Sequence, residues 1–259
     1  MLLNAVIIIL REVLEASLII SVFLALSQLL NRNIWWILLA LGVGFVGAFI
    51  YAQNLATVSM AFEGTGQELL NAGLHGVIFL ALLVFMCTAP HQHHPRWRWL
   101  NMLTILIAVI TATIREGAEI ILYIGGFMGI PDLLSPVLIG SAVGAGIGLS
   151  VGVFFYYLLV NVRTNYGIWL GYLILLLVGG SMVAQAVEFM IQANYLEAGP
   201  PLWDSSSIIS ERSISGQLLY ALIGYEATPA PLQAAAYFIS IVTLIISAWV
   251  SFLFRGKSL

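Results

Sequence analysis

Apolar runs of membrane-crossing length are the feature that most limits what this chain can fold into. A spanning helix needs about 20 mostly apolar residues. Seven such stretches follow one another, at about 2–30, 34–55, 69–89, 99–124, 133–162, 168–193 and 232–254. Turn and breaker residues separate them: Asn31-Arg32-Asn33, Glu63-Gly64-Thr65-Gly66, Pro90 to Pro95, Pro131-Asp132, and Arg163-Thr164-Asn165. Only 8% of the residues are charged, against roughly 25% in a soluble domain, so the chain lacks the polar surface that a water-facing fold needs. The expectation is an all-α integral membrane protein, a single transmembrane domain over 1–259 with seven transmembrane helices. The apolar run at the N-terminus has no positively charged start and continues to about residue 30, so it reads as a retained first helix and not as a cleaved signal. The one long connection, 194–231, contains a short apolar segment, 214–223, expected to be interfacial or re-entrant.

Charge placement sets the expected orientation. Arg32, Arg96, Arg98, Arg163, Arg255 and Lys257 all follow the first, third, fifth or seventh stretch; Arg212 alone lies in a loop on the other side. Positive residues favour the cytoplasm, which predicts an N-terminus outside and a cytoplasmic C-terminus. Glu63, Glu68, Asp132, Glu197, Asp204, Glu211 and Glu226 then gather at the outer face. That is either a cation-attracting vestibule or the default left by the positive-inside bias. The single cysteine, Cys87, excludes an internal disulfide and a cysteine-cluster metal site. No basic patch with interleaved aromatics points to nucleic acid.

Two near-identical charged motifs interrupt this apolar chain: Arg11-Glu12-Val13-Leu14-Glu15 in the first stretch and Arg115-Glu116-Gly117-Ala118-Glu119 in the fourth. A charge at mid-bilayer costs roughly 2.5–3.5 kcal/mol even on the lenient scale, so six unpaired ones would cost roughly 15–20 kcal/mol. They are expected to face the bundle interior, paired, hydrated or metal-bound. Glu12 and Glu15, three apart, share a helix face, as do Glu116 and Glu119, and each Arg stands four residues before the second Glu of its motif. Four carboxylates form a hard-oxygen environment suited to cations, with Arg11 and Arg115 holding them in place and limiting their repulsion. The rival is a purely architectural salt-bridge network. The motif helices run antiparallel in this topology, which fits a 3+3 inverted repeat plus one helix, with the site at the repeat interface.

Weaker signals lie around these motifs. Glu68, Asn71 and His75 make a polar stripe into the third helix, and Glu188 sits in the outer half of the sixth; Glu68, His75 and Glu188 are candidate steps of an access route, or merely interhelical hydrogen-bonding groups. His91, His93 and His94 form a loop on the cytoplasmic side, a candidate exit site for metal or a plain solvated loop. Gly42, Gly44 and Gly47, and Gly140, Gly144 and Gly148, have small-residue spacing for close helix packing. Trp35, Trp36, Trp97 and Trp99 read as interface anchors.

The paired motifs, one in helix one and one in helix four, resemble the high-affinity, oxidase-dependent iron permease family, whose bacterial members include EfeU-type permeases. The segment from Ser213-Ile214-Ser215-Gly216 through Gly224-Tyr225-Glu226-Ala227, with Pro229 before the last helix, is also similar to that family's final outer loop. Val13 stands where the family commonly has Gly, and Ala118 where Leu is common; the charged positions are intact.

The resemblance implies iron import, with Fe(III) the expected form, across the plasma membrane by a permease and not an enzyme. It assigns Glu12, Glu15, Glu116 and Glu119 as iron ligands, with Arg11 and Arg115 as motif partners. Iron is then cargo and no prosthetic group is called for. The implied partners are membrane lipid and an extracytoplasmic oxidase or iron-delivery protein, and a homo-oligomer stays open. The alternatives are a permease for Mn(II), Pb(II) or protons, and a membrane di-iron metalloenzyme, which would want His ligands beside the motifs where this chain has none.

Overall fold

The computed structural model describes residues 2–91, 95–211 and 213–255, and the described residues form helices and no strands. The helices are α1 (Leu2–Leu29), α2 (Trp36–Gln53), α3 (Leu55–Met60), α4 (Gly66–Thr88), α5 (Pro95–Gly125), α6 (Pro131–Asn161), α7 (Thr164–Gln192), α8 (Ile214–Ile223) and α9 (Pro231–Arg255). Short 3-10 turns at Phe62–Gly64 and Ala89–His91 join them. Among the described residues, five helical stretches are long and apolar enough to cross a membrane: α2, α4 with the turn that follows it, α6, α7 and α9. The other two long helices, α1 and α5, each carry one charged motif.

Helix ends follow local chemistry. Prolines begin α6 and α9, where a missing N–H costs nothing. Asn31 and Asn194, just beyond α1 and α7, take the left-handed conformation (φ 51° and 58°) that Asn tolerates better than most residues. The expected short segment is α8, closed by the Ser213 hydroxyl on the Gly216 N–H at 3.0 Å and by left-handed Gly224. Arg212, Gln92, His93, His94 and Lys257 lie outside the described residues.

The helices alternate in direction, giving the bundle a long-loop end, where 193–230 lies, and a short-loop end. α1 packs most extensively on α6 and runs parallel to it; α2 packs in the same way on α5. Small residues four apart make both contacts. In α6, Gly140, Gly144, Gly148 and Gly152 sit against the α1 backbone and the Ser17 and Ser21 side chains. In α2, buried Ala40, Gly44 and Ala48 face α5, with Gly44 at Thr113 and Ala48 at Gly117. α4 crosses α7 antiparallel between these pairs, and α9 covers α7. The apolar core, including Leu18, Phe23, Leu82, Phe85, Val109 and Leu175, fills the short-loop side of the motifs. Many large apolar side chains point outward from α2, α6 and α9, as helices facing lipid require.

The glycine stripe yields a test. A Cβ at Gly144 would lie 2.5 Å from the Val6 carbonyl oxygen, a backbone atom that cannot move aside, whereas one at Gly146 meets nothing within 4 Å. Gly144→Ala is expected to destabilise the protein by about 1–3 kcal/mol. Gly146→Ala is expected to be neutral or stabilising by about 0.4–1 kcal/mol. Thermal unfolding of the two purified variants in detergent checks both.

Candidate metal-transport site

The antiparallel crossing of α1 and α5 brings the two motifs together. Arg115 is the hub and is 1% exposed. Its Nη1 donates to Glu15 Oε2 of the other motif at 3.0 Å and to Glu116 Oε1, while its Nε lies 3.6 Å from Glu119 Oε1. Arg11 is held more loosely. Its Nε donates to Glu12 Oε1 at 3.1 Å and lies 3.9 Å from Glu15 Oε1. The i,i+4 pairs expected from the spacing are both present, and the cross-motif bond from Arg115 to Glu15 joins them.

Exposure runs in one direction through the cluster. The Arg11 and Glu119 side chains are 35% and 25% exposed, while Glu12, Glu15 and Glu116 are buried. Four carboxylates against two guanidiniums leave two formal negative charges among apolar helices. Three carboxylate oxygens, Glu12 Oε2, Glu15 Oε1 and Glu116 Oε2, are buried without a hydrogen-bond partner. Buried acceptors of this kind carry the full cost of lost hydration, so they favour a proton or a cation between them. Glu12 and Glu116 face each other across the helix pair. Among the described residues no three His, Cys, Asp or Glu side chains are already arranged around a metal position. Arg115 lies between Glu15 and its own motif's acids, so the guanidinium occupies the space that a bound cation would share.

The remaining candidates fall around this core. His75 is fully buried, with Nδ1 2.7 Å from the Asn71 carbonyl oxygen and Nε2 2.8 Å from Gln185 Oε1, so both ring nitrogens are occupied. Gln185 continues to Ser181 at 3.0 Å, and Tyr51 donates to Asn71 Oδ1 at 3.1 Å. Tyr51 neighbours Glu119, Arg115 and Glu68, which places Glu68 beside the cluster with Oε2 buried and unpartnered. Glu188 accepts from Gln192 at 3.0 Å and approaches from the α7 side, near Arg11. His91 lies at the short-loop end, Nδ1 3.2 Å from Ser251 Oγ and its ring against Trp97. His93 and His94 lie outside the described residues.

Sequence reasoning missed Tyr220. It lies on α8, beneath the Arg11 guanidinium, whose centre is 5.4 Å from the ring centroid. Nothing in the apolar 214–223 segment marked it. Gln185 and Tyr51 were also missed; Gln185, a lone amide in an apolar helix, was the one findable signal.

The chain belongs to the iron permease FTR1 family, which matches residues 2–255. The relatives agree with this. A ferrous iron permease EfeU of Escherichia coli O6:H1 is 24% identical over 272 residues, covering 93% of this chain and 92% of that protein. The ferrous iron permease EfeU of Shigella sonnei matches equally, at 24% over the same shares. An uncharacterized Synechocystis protein is 30% identical over 161 residues, 53% of this chain and 51% of that one. No solved structure matches. This chain is therefore an integral membrane protein of an iron-transporting permease family.

Two predictions follow from the charges. Removing one partner of a buried ion pair strands the other. Arg115→Met is expected to destabilise the protein by about 3–5 kcal/mol, with partial recovery on adding Glu116→Gln, measured by thermal unfolding in detergent.

In the long loop, burial, with Glu188 and Glu211 close by, pushes the Glu226 carboxyl up to about 8, against the opposing bond from Gln233. A carboxyl that holds its proton more tightly when folded stabilises fully below its ordinary value of 4.5 and loses that contribution as pH rises through about 8. Hydrogen exchange across 224–230, corrected for its intrinsic rate, is expected to quicken as pH rises over this window. Glu226→Gln is expected to flatten the response.

Proposed function

We propose that the two Arg-Glu-x-x-Glu motifs form one transport site through which the chain imports iron. The observation that carries this reading is the trio of buried, unpartnered carboxylate oxygens on Glu12, Glu15 and Glu116, beside two arginines in an apolar bundle. An architectural network would be expected to pair charged oxygens such as these, because each buried polar group without a partner costs stability.

In this reading α1, α2, α4, α5, α6, α7 and α9 are seven membrane spans, with the long-loop end outside, the short-loop end in the cytoplasm, and the protein in the plasma membrane. The halves α1–α4 and α5–α7 form an inverted repeat. Exchanging them converts the α1–α6 contact into the α5–α2 contact, and both are parallel pairs sealed by small residues four apart. The same exchange relates His75 and Asn71 of α4 to Gln185 and Ser181 of α7, where the two helices cross.

The cation reaches Glu119 and Arg11 from the outer side, past Glu68 and Glu188, and binds at Glu12, Glu15, Glu116 and Glu119. His75, with both ring nitrogens engaged, braces α4 on α7 more readily than it hands on an ion. His91, at the short-loop end, stands at the exit; His93 and His94 stay candidates for it from the sequence alone. Charge favours ferrous iron over the ferric form expected earlier: a dication neutralises the formal −2 of the site, whereas a trication leaves it positive unless an acid such as Glu188 joins. The relatives named as ferrous iron permeases agree with this choice. An extracytoplasmic iron-handling protein as donor remains part of the proposal.

Glu15→Ala and Glu119→Ala are expected to abolish uptake of radioactive Fe(II) into proteoliposomes while both variants still insert. Normal uptake by both would overturn the site. Competition by excess Mn(II) or Pb(II), or preference for Fe(III), would reassign the cargo without moving the site.

A further inference from the structure

The two motifs share a pattern, yet their arginines are held differently. Arg115 is enclosed by three carboxylates of both motifs. Arg11 touches only the acids of its own motif, one of them at 3.9 Å, and stays partly exposed. What breaks the equivalence is α8. Among the described residues Arg11 makes the one cation–π contact, with Tyr220.

The position of Tyr220 is built and not incidental. α8 is capped at both ends and packs on α1 and α7. Its Leu218 and Ala221 join Leu10, Leu14 and Val151 in a small apolar cluster. Gln217 ties it to the Glu211 carbonyl oxygen at 2.5 Å, and Gly224 lies against Ser181 of α7. The charged groups facing Tyr220 are Glu15, Arg11, Glu188 and Arg115, so the ring stands between the motif cluster and the acid of α7.

We propose that Tyr220 is a positioning residue for cation admission: its ring seats the Arg11 guanidinium partway out of the carboxylate cluster. The seat matters because an arginine and an incoming cation compete for the same oxygens. A guanidinium over an aromatic face keeps a favourable electrostatic contact without a carboxylate. Arg11 therefore neutralises Glu12 while the site is empty and yields as a cation binds. Without the ring it falls back on the carboxylates and competes harder. The proposal rests on the reading of the motifs as a transport site.

The test compares Tyr220→Phe, which keeps the ring, with Tyr220→Leu, which keeps an apolar side chain without it. Tyr220→Met replaces the latter if it fails to fold. In Fe(II) uptake, Tyr220→Leu is expected to raise KM about three- to tenfold with the maximal rate within about twofold, and Tyr220→Phe to match wild type. A second readout does not depend on transport. Phenylglyoxal modification of Arg11 in purified protein, followed by mass spectrometry, is expected to slow several-fold in Tyr220→Leu and not in Tyr220→Phe. Unchanged or faster modification in Tyr220→Leu would overturn the proposal, as would a Phe variant as impaired as Leu. Wild-type vesicles that take up no iron would instead defeat the permease reading, and the modification rates would still decide the seat.

Discussion

The structure depends on keeping six charges inside an apolar bundle, and Arg115 is the group on which that depends most. Desolvating a guanidinium is expensive, and attraction repays it only where geometry and hydrogen bonding are good. Arg115 meets that condition by reaching both motifs: Glu15 on α1, and Glu116 and Glu119 on its own helix. The contact also fixes how α1 and α5 cross, because a rotation of either helix would leave the guanidinium beside hydrocarbon. Yet the pairing is incomplete. Two arginines cannot neutralise four carboxylates, and the geometry leaves three carboxylate oxygens, together with the Arg115 Nε, without hydrogen-bond partners. In the proposed reading, a cation taken up at the motifs would fill that deficit.

Close approach of backbones makes the crossing possible. Lipid gives no hydrophobic drive for helix association, so packing surfaces must fit by shape. The small residues at every fourth position of α6 and α2 supply that fit: α1 lies almost backbone to backbone on α6, and the α2 glycines make room for the Thr113 and Ile114 side chains of α5. The strongest contacts are thus exchanged between the halves of the chain, not made within them.

Much of this was legible in the sequence because burial of charge in an apolar run admits few explanations. The motifs, the sharing of a face by Glu12 with Glu15 and by Glu116 with Glu119, the i,i+4 pairs and the Gly140-Gly144-Gly148 stripe are all local and periodic, whereas in α2 the packed stripe is Ala40-Gly44-Ala48 and the expected Gly42 meets nothing within 4 Å. What lay beyond reach was long-range. Nothing in the spacing said that Arg115 would bond to Glu15 across 100 positions, or that Arg11 would not do the same for Glu119. Asn71 and His75 were visible as a stripe, but their engagement with Tyr51 and Gln185 depends on which helices cross α4. Tyr220 was least legible, since a tyrosine in a ten-residue apolar helix says nothing until α8 is docked against α1. The match in size and spacing between Ala40-Gly44-Ala48 and Gly140-Gly144-Gly148 was hidden too, because the residue types differ.

The gradient through the site bears on how a cation could leave it. Toward the long-loop end stand the partly exposed Glu119 and Arg11. Toward the short-loop end come Leu18, Val22 and Phe23 of α1, Leu82 and Phe85 of α4, and Val109 of α5, with the Phe23 and Phe85 rings in an edge contact at 5.1 Å. The carboxylates thus have partly exposed polar groups on one side and packed hydrocarbon on the other. The α1–α6 pair is held by close backbone contact at its glycines, which resists parting. α4 packs on α5 nearly as extensively as on α7, whereas α1 meets α7 less extensively and faces α4 through side chains such as the phenylalanine pair. If the motifs carry the cation as proposed, the side-chain contact between α1 and α4 at Phe23 and Phe85, and not the glycine-packed α1–α6 pair, is the part of the bundle expected to yield.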